Sequence, residues 1–151
     1  MMKIFLTILL AALASAEISA ALAPPRRQNN GEQIRTPEKG SPERKAILDA
    51  VRRKLKTSTQ FEVDHLKVSG RWAFFRGNAV VFTDGEKVET DSVQALLERR
   101  EEAAGVGRWA VVEIWNLEQS GTAEMAQNFA RRVRKRAADE GVPKEILPAE
   151  L

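Results

Sequence analysis

The sequence predicts an α+β domain: an N-terminal helix, an antiparallel sheet of about four strands and a C-terminal helix. Three observations carry this expectation. Apolar residues recur at helical spacing near both ends of the stretch 41–148. Of the eight aromatics beyond residue 16, seven fall in 61–82 or 109–115, and aromatics favour strands. The tetrapeptide Gly70-Arg71-Trp72-Ala73 returns as Gly107-Arg108-Trp109-Ala110, each copy leaving a turn and opening an apolar run. The two copies read as equivalent hairpin exits.

The chain of 151 residues is sized for one domain. Its first segment is a basic start at Lys3 and an apolar run Ile4 to Ala14, closed by Ser15-Ala16. That is the order of a secretory signal peptide, with cleavage expected after Ala16 and an alternative end at residue 20. Eleven residues fall short of the ~20 that span a bilayer, so no membrane span is expected after cleavage. The expected location is periplasmic or extracellular. With no cysteine the chain lacks a lipoprotein attachment point, and the domain must be stabilised by its core alone. Residues 17–40 then form an expected flexible linker. The stretch Pro24 to Lys39 holds one large apolar residue, Ile34, and offers little burial to offset the entropy of ordering.

Ser41-Pro42-Glu43 combines an N-cap, a first-turn proline and an acid at the positive end of the dipole. Ile47, Val51 and Leu55 follow on one stripe, giving a helix over 42–56. In the next segment Phe61 and Val63 alternate in one phase, and Leu66 and Val68 in the other. A bulge near Asp64–His65 reconciles them. Ser69-Gly70 is a turn and Trp72 to Phe75 opens the second strand. Residues 79–90 extend this hairpin or form a smaller one around Asp84-Gly85. Asp91 and Gln94 have the form of a capping box, and the residues after Leu96 favour helix. Yet Val93, Ala95 and Leu97 alternate, and an exit at Gly107 needs a partner strand, so 93–100 is read as a strand. Trp109 to Leu117 is a further strand. Thr122 caps a last helix, with Met125, Phe129, Val133 and Ala137 as its buried stripe and Gly141 as its end. The helices are expected on one face of the sheet, and by analogy cystatin-like and nuclear-transport-factor-like sheets are the nearest architectures. Residues 149–151 are a tail.

The segments Ser41-Pro42-Glu43-Arg44-Lys45-Ala46, Phe61-Glu62-Val63, Leu66-Lys67-Val68 and Trp72-Ala73-Phe74 resemble a family of short exported bacterial proteins of unknown function. Ala95-Leu96-Leu97, Gly107-Arg108-Trp109 and Gly141-Val142-Pro143 are similar too. The chain departs from that pattern at Arg99-Arg100-Glu101-Glu102 and in its basic C-terminal helix. The resemblance implies export and a strand over 93–100, and it brings no activity.

Composition removes most catalytic constellations. No cysteine means no disulfide, thiol chemistry, zinc ribbon or iron–sulfur cluster. His65 is the single histidine, there is no tyrosine, and neither a Gly-x-Ser-x-Gly elbow nor a phosphate-cradling or dinucleotide-binding glycine loop occurs. No cofactor is expected. The remaining acid–base candidates are His65 with Asp64, and Glu113, which between Val112 and Ile114 is the carboxylate best placed for a raised pKa, although a solvent-facing position on a half-exposed sheet is the main expectation for it. The main expectation for His65 is a plain strand-surface residue, and its use with carboxylates in a pocket between sheet and helices is the enzymatic alternative. Gly70, Gly77, Gly85, Gly105 and Gly107 read as turn glycines. Trp109 and Trp115 share a parity with Val111 and are expected in the core.

The feature most suggestive of a partner is Arg131, Arg132, Arg134 and Lys135 on the last helix, a candidate contact for a protein or an anionic envelope component. Removal of residues 1–16 takes Lys3 from the 24 cations and none of the 21 acids, leaving a net charge of +2. Nucleic acid is not expected as a partner at that balance. The reading is an exported binding or accessory domain, non-catalytic in its leading form.

Overall fold

The computed structural model describes residues 33–102 and 107–151. The expected signal peptide and linker residues 17–32 lie outside the described residues. Helix α1 spans Pro42–Leu55, its start fixed by Ser41 Oγ, which accepts from the Arg44 N–H at 3.2 Å. It ends where Lys56 turns left-handed at φ 57°. Four strands follow as β1 (Gln60–Ser69), β2 (Trp72–Thr83), β3 (Glu86–Glu101) and β4 (Gly107–Asn116). They form one antiparallel sheet in the order β1-β2-β3-β4. The strand expected over 93–100 is the second half of the long β3, and Arg100 pairs with Arg108 as the Gly107 exit requires. Asp84-Gly85 makes the β2–β3 turn with φ of 53° and 83°, the left-handed pair that suits a two-residue hairpin.

Each strand pair contains one bulge, at Asp64 in β1, Thr90 in β3 and Val112 in β4. The first is the one expected from the phase slip. It lets Phe61, Val63, Leu66 and Val68 all join one core cluster. The third was not expected and has a consequence: Trp109 and Trp115 lie on opposite faces of the sheet.

After β4, the single turn α2 (Leu117–Ser120) leads to α3 (Ala123–Asp139), capped by Thr122 Oγ1 accepting from the Met125 N–H at 3.2 Å. Phe129 and Val133 are buried and Ala137 is half-buried, whereas Met125 is exposed in the first turn, so the expected stripe is one residue shorter. Asp91 is a strand residue. Its carboxylate does cap a helix, but that of α2, accepting from the Glu118 N–H and from Asn116 Nδ2 at 2.9 Å each.

The helices lie on opposite faces, which corrects the one-faced layering. Ile47 and Val51 of α1 pack with Ala73, Phe75, Ala95, Leu97 and Trp109. Phe129 and Val133 of α3, with Val142 and with Ile146 of the 3-10 turn Lys144–Ile146, pack with Trp72, Phe74 and Leu96. A strand buried on both faces has no polar side, which is why β2 opens as Trp-Ala-Phe-Phe rather than alternating. At the edge, Arg35 forms a backbone bridge to Val68 (2.9 and 2.8 Å) and Pro37 is buried, so the chain engages the sheet ahead of Ser41. The residues expected as a tail are docked as well. Leu151 packs on the α3-side cluster and its carbonyl accepts from Arg134 at 3.1 Å.

Candidate functional site

The bulge at Asp64 turns His65 toward the α3 side. There its ring meets Phe74 edge-on, centroids 5.9 Å apart, and Nε2 lies 2.7 Å from the Ile146 carbonyl oxygen. A carbonyl only accepts, so Nε2 carries the proton and donates. His65 is half-buried and fastens the C-terminal segment to β1, a more committed role than the strand-surface residue expected. Asp64 is exposed and accepts from Arg76 Nε at 2.8 Å.

Glu113 shares that sheet face but stands on the opposite edge strand, three strand spacings or about 14 Å across the sheet from His65 and two residues further along it. Arg132 Nε and Arg136 Nε donate to its two carboxylate oxygens at 2.7 and 2.8 Å. Burial pushes this carboxyl up, but the two charged hydrogen bonds and the fields of both arginines together outweigh it. Its pKa is lowered, where the enzymatic alternative needs it raised, and its side chain is largely covered rather than solvent-facing. Glu113 and the His65 imidazole are therefore not brought together. Among the described residues no group of three or more His, Asp or Glu side chains is placed to hold a metal ion.

The four cations singled out on α3 are each engaged within the chain. Arg132 holds Glu113, Arg134 the Leu151 carbonyl, Lys135 the Asp139 carboxylate at 2.5 Å, and Arg131 the Asn128 side chain. Arg136 on the same helix bridges Glu113 and Glu140.

Sequence reasoning missed a second basic surface, at the end of the sheet where β2 and β4 begin. Arg35, Arg71 and Arg99 line an open depression of about 540 Å³ with Gln33, Gly70, Glu101 and Gly107. A neighbouring one of about 450 Å³ is bordered by Arg53, Lys54, Arg100 and Arg108. Glu98, with its side chain 14% exposed, is bracketed by Arg71 and by Arg100 Nε at 3.1 Å. Arg108 reaches Glu102 at 3.5 Å and Arg35 reaches Glu43 at 2.7 Å. Arg99 has no carboxylate partner among the described residues. It lies across Gly107, where any Cβ would run into the guanidinium stem. Gly107 is thus the opening residue of β4 rather than a turn glycine, and it makes room for Arg99. These cations come from five separate segments, so no local run announced them. The one signal was the repeated Gly-Arg-Trp-Ala, which places Arg71 and Arg108 at equivalent exits.

No family model, curated protein or solved structure matches this chain. No helix among the described residues is long and apolar enough to cross a membrane.

Proposed function

We propose that the chain is an exported, non-catalytic binding or accessory domain that acts on a protein or cell-envelope component. The observation that carries this reading is the arginine-lined end of the sheet, assembled by the topology from five segments and open to solvent. The hydrophobic Ile4–Ala14 run followed by Ser15-Ala16, and the resemblance to short exported bacterial proteins, support export. The groups best suited to acid–base work serve the fold instead, His65 on the Ile146 carbonyl and Glu113 between two arginines.

In-cell crosslinking of a tagged full-length copy, with fractionation of the cell, tests the reading. The expected result is one reproducible protein or envelope component crosslinked outside the cytoplasm. Recovery of the tagged chain alone, or only from the cytoplasm, overturns it.

A further inference from the structure

The formal net charge of the whole chain is only +3, yet the surplus is concentrated. Around the adjoining depressions at the β2/β4 end, seven basic side chains stand against four carboxylates. This end alone matches the surplus of the entire molecule. Two residues in it are set as a pair. The Arg99 N–H donates to the Arg71 carbonyl at 2.6 Å, which ties the β1–β2 turn to β3, and both side chains border the same depression. Arg71 is only partly neutralised, because it shares the Glu98 carboxylate with Arg100. Arg99 is not neutralised by any described carboxylate. Guanidinium groups offer planar forks that match carboxylates in bidentate fashion.

Resting on the binding reading above and deepening it, we propose that this end binds an acidic segment of a partner protein, with Arg71 and Arg99 as the anchoring pair. The charge pattern favours a peptide over a uniform polyanion. Glu98 and Glu101 are interleaved with the arginines, and a lipid surface or nucleic acid would bring negative charge against them as well. A peptide places its carboxylates at discrete points and can avoid those positions. The depressions are broad and open, a shape that admits an extended segment.

The test is fluorescence anisotropy of a labelled glutamate–serine repeat peptide with the full chain, at low and at physiological salt. Wild-type protein is expected to bind, more weakly as salt rises. Arg99→Gln, which removes no ion pair seen in the fold, and Arg71→Gln/Arg99→Gln are expected to weaken binding, the double variant by about tenfold or more. A variant with Arg131, Arg134 and Lys135 replaced by Gln is expected to stay within about twofold of wild type. Absence of peptide binding by wild type, equal loss in both sets of variants, or binding to phosphatidylglycerol vesicles in place of the peptide overturns the proposal. If the peptide result fails while a crosslinked partner persists in cells, this inference falls and the binding reading stands. If no partner crosslinks in cells, the broader reading falls whatever the peptide does.

Discussion

Glu113 illustrates how one residue's neighbours reverse its chemistry. The bulge at Val112 in β4 turns it toward α3, where its side chain is only 12% exposed, and burial alone would favour the neutral acid. Arg132 and Arg136 are four residues apart on one helix face, so both reach the same carboxylate. The folded-state pKa is below the ordinary 4.5, so the pair's stabilisation is complete above that range and is lost as pH falls through the lowered value. Glu113→Gln is expected to cost about 1–2 kcal/mol at neutral pH, since Arg132 remains half solvated and the pair is not deeply buried. The same variant should show a flatter acid limb than wild type. Urea melts across the acid range check this, and equal stabilities at pH 7 would sink it. Both sequence readings of Glu113, solvent-facing or raised in pKa, come from its strand neighbours only. The arginines that decide the matter are 19 and 23 residues away. Gly77 was illegible for a related reason. It sits inside β2, and an added Cβ there would strike the Glu62 carbonyl oxygen, a contact that exists only once β1 is paired.

At the scale of elements, bulges were legible only where one phase of a strand is polar. In β1 the apolar set Phe61, Val63, Leu66, Val68 changes parity against charged neighbours, and the slip shows at once. In β4 the bulge falls at Val112, within Val111-Val112, and both faces of the sheet are apolar there, so parity carries no contrast. The same two-sided burial hid the layering of the helices. A pair of deletions tests the β1 account. Removing Asp64 takes out the extra residue and keeps all four apolar side chains on their face, at the loss of one exposed ion pair to Arg76. The expected cost is within about 1 kcal/mol. Removing Lys67 forces either Leu66 or Val68, both buried, off the α1-side core, for about 2–3 kcal/mol. Urea midpoints at unchanged slope rank the two, and a deletion of Asp64 as damaging as that of Lys67 would rule out the bulge as the device that sets phase.

For the whole molecule, the central sheet must be covered on both faces, and the two covers differ in kind. On one side α1 is a single capped helix. On the other, α3 leaves room that the chain fills by doubling back, bringing Val142 and Ile146 over Phe74 and Leu96. The order helix, four strands, helix was legible from period and caps. The return segment was not, because Gly141-Val142-Pro143 reads locally as the end of a helix and gives no sign of a core beyond it. Three further contacts pin it: His65 to the Ile146 carbonyl, Arg134 to the Leu151 carbonyl, and Arg76 to Glu150. If this segment is part of the core, its removal must be felt globally. Truncation after Gly141 deletes the buried side chains of Val142, Ile146 and Pro148, about 3–6 kcal/mol for the first two alone, against a total of about 5–15 kcal/mol for a domain of this size. The truncated chain is expected to lose its cooperative urea transition or to show a midpoint far below wild type. Ile146→Ala, a gentler change at a residue with no exposed surface, is expected to cost about 2–4 kcal/mol while keeping the transition cooperative. A truncated chain that melts like wild type would mean that α3 alone covers the second face and that the return segment merely rests on it.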